Sequence, residues 1–184
     1  MGDKAEKTKE RILEEAYDLF AQKGFKDVTM SEICKRTGLS RGGLYRYYTG
    51  TEEIFSEILS KTYPLTGRMD KKESAAKILE EMLSALQEEI MDRERSLSLA
   101  IYEYASLGNE GFFQILLKKA KKRWMDLMVY GMEQKEFKKV DPDMVSDMIL
   151  YYYQGLRMWS RVTPLERKAA EHYGRMVREM LLEE

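Results

Sequence analysis

Prolines interrupt this 184-residue chain at only three places, 64, 142 and 164, and each falls at a boundary between apolar stripes of helical period. No segment shows sustained period-two alternation between turn residues, so no strand is expected. The chain must therefore fold by packing amphipathic helices against one another, and its fold class is all-α. Hydrophobic residues make up 43% of it, enough for a core of ordinary size. The apolar or aromatic runs are only a few residues long, as from Met148 to Tyr153. A membrane span needs ~20. No basic-then-apolar leader with a small-residue cleavage site is visible, so a cytoplasmic protein without membrane association is expected.

Caps and breakers divide the helical pattern. Residues 1–7 read as a polar, frayed start, and a helix is expected over 8–22 with Leu13, Ala16, Tyr17 and Phe20 on one stripe. Gly24 supplies its stop. Thr29-Met30-Ser31-Glu32 has the form of a capping box, opening a short helix that ends at Thr37. Gly38-Leu39-Ser40 makes a tight turn, and Ser40 caps a second short helix over 41–47 with Leu44 facing inward. A fourth helix follows Thr49-Gly50-Thr51, carries Glu52 and Glu53 in its first turn, and runs to about residue 63, where Pro64 and Gly67 interrupt. Five longer helices are expected at roughly 72–91, 95–106, 110–136, 142–161 and 165–182, about nine in all. Gly108-Asn109 separates the second and third of these, Asp141-Pro142 opens the fourth, and Thr163-Pro164-Leu165-Glu166 offers a second capping box for the fifth.

The net charge is −1, which excludes a wholly basic nucleic-acid coat but not a local basic face. Residues 23–50 carry such an excess: Lys23, Lys26, Lys35, Arg36, Arg41 and Arg46 against Asp27 and Glu32. In the same place two short helices are joined by a glycine-containing turn of three residues, the pattern of a helix-turn-helix. The second helix offers Arg41, Gly42, Gly43, Tyr45 and Arg46 outward, with Leu44 as its apolar anchor. Each glycine costs a helix ~1 kcal/mol relative to alanine, so the pair needs a reason. Close approach to a DNA groove is one, and a crowded helix crossing is another. Arginine can read guanine O6 and N7 in a bidentate manner, and tyrosine can donate to phosphate.

Residues 8–55 resemble the DNA-binding domain of the TetR (tetracycline-repressor) family of bacterial regulators. Thr8 to Leu13, Ala16, Leu19-Phe20, Gly24-Phe25 and Thr29 to Ile33 carry the likeness, and Thr37 to Tyr48 with Glu52, Glu53 and Ile54 carry most of it. The resemblance implies an all-helical homodimer in which residues 1–50 bind a double-stranded operator and residues 51–184 bind a small effector and dimerise. Carried over by position, Thr29, Ser40, Tyr45 and Tyr47 fall where the family contacts phosphate. Ser31, Arg41, Gly42, Gly43 and Arg46 fall where it approaches bases. Thr51 stands where the family often has a phosphate-binding lysine, so a shallower salt dependence is expected. The last two helices are expected to form a four-helix dimer bundle, through Val145, Met148, Trp159, Leu165, Tyr173, Met176 and Met180, with packing within one subunit as the alternative.

The chain has 13 Met and 12 Tyr, and their abundance after residue 63 suits an adaptable, largely apolar effector pocket. Met82, Tyr102, Phe112, Phe113, Trp124, Met128, Tyr152 and Leu156 are its candidate lining, although side chains at such spacing more often build a core. Glu103 and Arg157, charged within apolar stretches, can orient a ligand head group, and such residues are more often simply exposed or at a dimer interface. The basic run Lys118, Lys119, Lys121, Lys122 and Arg123 reads as a solvated face. Cys34 reads as a small buried residue, with a redox role as the alternative. His172 alone cannot build a multi-histidine metal centre, and one cysteine can neither form an internal disulfide nor hold zinc. No cofactor or metal is expected. No nucleophile–base–orienter set and no phosphate-cradling loop is visible, so an enzyme is not expected. The leading function is a ligand-released repressor. The alternatives are an activator and a helical ligand-binding protein without a DNA role.

Overall fold

The computed structural model describes residues 2–62 and 72–183, with side chains from residue 4 onward. Among these residues it is all-α: α1 (Gly2–Lys23), α2 (Met30–Thr37), α3 (Arg41–Tyr45), α4 (Thr51–Thr62), α5 (Ala75–Met91), α6 (Ser98–Tyr104), a π-helical turn (Ala105–Asn109), α7 (Glu110–Glu133), α8 (Pro142–Val162) and α9 (Arg167–Leu181). The interruption expected at Pro64 and Gly67 lies outside the described residues. No helix among those described is long and apolar enough to cross a membrane.

The chain divides into two compact units. The first gathers α1–α4 together with α6 and the π turn. The second holds α5, α7, α8 and α9. The boundary expected at residue 50 runs through the packing of the first unit. Ile54, Phe55, Ile58 and Leu59 of α4 are buried, and the Phe55 ring lies 4.7 Å from Phe20 and 5.2 Å from Phe25. Tyr104 of α6 closes the cluster at 4.9 Å from Phe25 and 5.2 Å from Phe55. Aromatic contact, which no local sequence window displays, assigns both helices to this unit.

Several helix ends differ from the sequence expectation. Helix α1 begins at Gly2 because Ala5, Glu6 and Lys7 are good helix formers; Thr8 does not cap it but donates back to the Lys4 carbonyl at 2.8 Å. Helix α3 is shorter than 41–47. Helix α5 starts three residues later than expected, capped by Ser74, whose Oγ accepts from Lys77 N at 3.2 Å. Helix α6 ends two residues earlier than expected, and Leu107 and Gly108, the latter at φ 92°, leave helical geometry, so Gly108-Asn109 separates α6 from α7 as its sequence predicts. Helix α7 stops at Glu133, where the chain folds back and Phe137 N donates to the Gly131 carbonyl. The second capping box does not form. Thr163 N still donates to Trp159 O at the end of α8, so Thr163 cannot open α9; Glu166 is the N-cap and makes no side-chain bond there.

The core of the second unit is built from Leu79, Leu83 and Ile90 of α5, Trp124, Leu127 and Met128 of α7, Ile149, Leu150 and Tyr153 of α8, and Tyr173, Val177 and Leu181 of α9. Glu80 and Arg178 pair through two bonds of 2.8 and 2.7 Å, and the arginine holds the Glu80 carboxyl below the usual carboxylate range.

Glu103 has a role the sequence did not show. Its Oε2 accepts from the backbone amides of Phe25 at 2.6 Å and Lys26 at 3.0 Å, in the loop between α1 and α2. Gly24, at φ 86°, leaves the room: a Cβ there would lie 2.6 Å from the same oxygen. Glu103 is therefore a loop clamp within the first unit. A charge-assisted bond of this kind contributes about 1.5–3 kcal/mol. Glu103→Ala is expected to lower the stability of this unit by about that amount, measured by denaturant unfolding of the tyrosine-rich first unit.

Candidate nucleic-acid interface

Helix α2 is opened by the capping box expected from its sequence. Thr29 Oγ1 accepts from Glu32 N at 3.3 Å, and Glu32 Oε2 accepts from Thr29 N at 3.1 Å. The Lys23 ammonium also bonds Glu32, and together with the Thr29 donors it holds that carboxyl below the usual range. Thr37 is buried and donates to Ile33 O at 2.7 Å. Gly38 ends the helix at φ 67°, a left-handed conformation that costs glycine little. Two residues later Ser40 caps α3, its Oγ accepting from Gly43 N at 3.1 Å. Leu44, fully buried, is the one buried residue of α3 and fixes its roll. Arg41, Gly42, Tyr45 and Arg46 are thereby turned outward, and Tyr45 is 50% exposed.

Of the six basic residues in 23–50, Lys23 is tied to Glu32, and Arg36 to Glu15 at 2.9 Å and Asp18 at 4.0 Å. Lys26, Lys35, Arg41 and Arg46 are exposed. The structure brings Ser31 and Arg41 together across the two helices, with Arg41 Nη2 donating to Ser31 Oγ at 2.9 Å. Thr29, Ser31 and Ser40 are exposed, and Tyr47 and Thr51 are half-buried at either side of the break before α4. Cys34 is half-buried in α2.

The two glycines separate cleanly. A Cβ on Gly43 would meet Ser40 Oγ at 3.2 Å, so residue 43 is small to admit the cap. A Cβ on Gly42 would meet nothing within 4 Å, which removes a crowded crossing as its reason. The bare surface at Gly42 suits an outside partner that comes close to the backbone. Gly42→Ala is expected to raise head stability by up to ~1 kcal/mol while weakening DNA binding. Paired thermal melts and binding isotherms check the opposite signs.

The candidate pocket residues stand in different settings. Tyr102 is 63% exposed and belongs to the first unit. Trp124 and Met128 are packed in the core of the second, with Met82 and Leu156 at its edge. Phe112 and Phe113 make an edge contact at 5.4 Å, and Tyr152 is 41% exposed. A cleft of about 460 Å³ is lined by other residues: Ser84, Gln87, Glu88, Met91, Arg167, Ala170 and Glu171. Arg157 is buried, 3.8 Å from Glu89 and above the Tyr153 ring, whose hydroxyl also bonds Glu89. In the basic run, Lys121 bridges Asp143 and Asp147, and Lys122 pairs with Asp126.

The candidate dimer residues divide between two faces of α8 and α9. Val145 and Tyr173 face the core of their own unit, and Leu165, Met176 and Met180 are partly buried against it. Among the described residues the Tyr173 hydroxyl has no hydrogen-bond partner, and burial pushes its pKa up. Met148 and Trp159 face outward, at 47% and 60% exposure. Sequence reading merged two stripes here. Met144, Tyr151 and Val162, which it missed, join Met148, Tyr152 and Trp159 on one exposed apolar face. The signal was present: α8 is apolar on both sides, and a helix apolar all round needs two burial partners.

Comparison with known proteins agrees with this geometry. Residues 12–58 match the model of the bacterial regulatory proteins of the tetR family. Over 151 residues the chain is 32% identical to the uncharacterized HTH-type transcriptional regulator YfiR of Bacillus subtilis (strain 168), covering 74% of this chain and 71% of that one. Among solved structures it is similar to NalD, the secondary repressor of the MexAB-OprM multidrug efflux pump in Pseudomonas aeruginosa. The TM-score is 0.68 at 18% identity, over 99% of both chains. It is also similar to TylP, a tetR regulator from Streptomyces fradiae, with a TM-score of 0.66 at 17% identity, over 96% of this chain and 87% of that one.

Proposed function

We propose, from the premise that this chain belongs to the tetR family of bacterial regulatory proteins, that it is a cytoplasmic homodimeric repressor released from a palindromic operator by a small effector. Membership makes it a transcriptional regulator with a DNA-binding helix-turn-helix. The finer reading is carried by one observation: α3 is locked in roll by Leu44 and presents Arg41, Gly42, Tyr45 and Arg46 to solvent. Such a helix fits a major groove, with arginine at base edges and tyrosine and capping hydroxyls at phosphates. Two copies reading successive grooves ~34 Å apart require a two-fold assembly. The exposed face of α8 supports one.

In the free dimer both heads engage the operator. An effector that binds better to a dimer with misaligned heads lowers operator affinity by that preference. The methionine- and aromatic-rich second unit favours a largely apolar effector. The repressor assignment follows the similarity to NalD. An activator would use the same head and differ only in where its site lies relative to the promoter.

Arg41→Ala tests the reading of bases. On a selected operator it is expected to cost ~1–3 kcal/mol and to flatten base preference at one position per half-site. Equal loss on every sequence would make Arg41 a phosphate contact instead. With Thr51 in place of a lysine, the slope of log affinity against log salt is expected to be shallower than for Thr51→Lys, by about one unit per half-site.

A further inference from the structure

We propose that Ser31 acts as a positioning residue for Arg41, and that the pair together, rather than Arg41 alone, selects a guanine in each half-site. The inference rests on the DNA-binding reading above and names how the head discriminates.

Ser31 is the second residue of α2 and Arg41 the first residue of α3, and both are exposed. The bond from Arg41 Nη2 to Ser31 Oγ, 2.9 Å long, joins the N-terminal ends of the two helices that make the motif. Each of those ends is fixed independently, by Thr29 on α2 and by Ser40 on α3. The serine therefore stands on a rigid support. A free arginine side chain samples many rotamers, and holding it to one geometry on DNA costs entropy. A neighbour that holds it beforehand removes part of that cost.

The chemistry leaves the guanidinium able to read. Arginine has five N–H donors arranged along its planar fork. Nη2 carries two of them and belongs to two donor edges, one shared with Nη1 and one shared with Nε. Ser31 takes a single N–H, so whichever it takes, one complete two-donor edge remains. A two-donor edge matches guanine O6 and N7. The Ser31 hydroxyl accepts from Arg41, and its own proton remains available to a neighbouring acceptor on DNA. Serine in this role is a neutral acceptor. A carboxylate there would hold the arginine more tightly but would repel the phosphates on either side of the groove.

The test uses the full chain as wild type, Ser31→Ala, Ser31→Thr and Arg41→Ala. The probe is a duplex selected by wild type from a random pool, with each guanine replaced in turn by 7-deazaguanine, which lacks the N7 acceptor. Wild type is expected to lose about tenfold or more at one position per half-site, and Arg41→Ala to be insensitive there. In Ser31→Ala that penalty is expected to shrink by roughly three- to tenfold, with other positions unchanged. Ser31→Thr, which keeps the hydroxyl, restores it. Alanine is a strong helix former at an exposed site, so a folding defect does not confound the comparison. A wild-type penalty in Ser31→Ala overturns the proposal, as does uniform weakening on all sequences, which would make Ser31 a phosphate contact. If wild type enriches no sequence, the DNA-binding reading itself fails and the positioning role falls with it.

Discussion

Leu44→Ala is expected to abolish DNA binding while leaving assembly intact. Leu44 is fully buried and is the only buried residue among the five of α3. Truncating such a side chain costs about 2–5 kcal/mol. The Ser40 cap contributes only ~1 kcal/mol, and a helix of one to two turns has no stability of its own in water. The cap therefore cannot hold α3 once its anchor is gone, and the outward residues lose their common orientation. The exposed apolar face of α8 belongs to the other unit and does not depend on Leu44. Sedimentation should report an unchanged assembly, operator binding should disappear, and amide exchange should quicken in residues 38–48. Wild-type operator affinity in this variant would mean that α3 is not the reading element.

The second large effect is expected at Trp159. It is 60% exposed and lies among Met144, Met148, Tyr151, Tyr152 and Val162, a run of large apolar side chains that a lone protomer would leave in water. A two-fold interface uses every residue twice. Tryptophan is a common interface hot spot, and a loss of about 2 kcal/mol per copy gives ~4 kcal/mol, or about a thousandfold weaker dimer. Glutamate in its place adds the cost of burying a charge. Trp159→Glu should therefore sediment as a monomer at micromolar concentration, and operator affinity should fall because only one half-site is engaged at a time. The protomer should stay folded, since Trp159 makes no part of its buried core. A dimer of wild-type strength would move the interface elsewhere on the molecule.

What the sequence made legible was local. The capping box at Thr29 to Glu32, the left-handed Gly38, the Ser40 cap and the inward Leu44 are short-range features, and each forms as its residues predict. They give the head because a helix-turn-helix is specified by caps and one anchor. The errors lie where the deciding partner is far along the chain. Glu103 finds the amides of Phe25 and Lys26 nearly eighty residues away, so no spacing rule identifies it as a clamp. Thr163 has the right neighbours for a capping box but is already committed to Trp159 O. Trp124 and Met128 are core residues, while Tyr102 is exposed in the other unit; their shared composition does not reveal that difference in burial. On α8, hydrophobicity alone does not distinguish the stripe that packs within the protomer from the one turned outward. That distinction comes from α5 and α9, which take the inner side.

Selection from random duplex DNA by the purified protein, near physiological salt, tests the central claim most directly. The account predicts an enriched palindrome whose half-sites are centred about one helical turn apart, ~34 Å, with a guanine in each half-site that Arg41→Ala no longer prefers. A pool that stays unenriched, or a single asymmetric site bound equally well by Arg41→Ala, would contradict it.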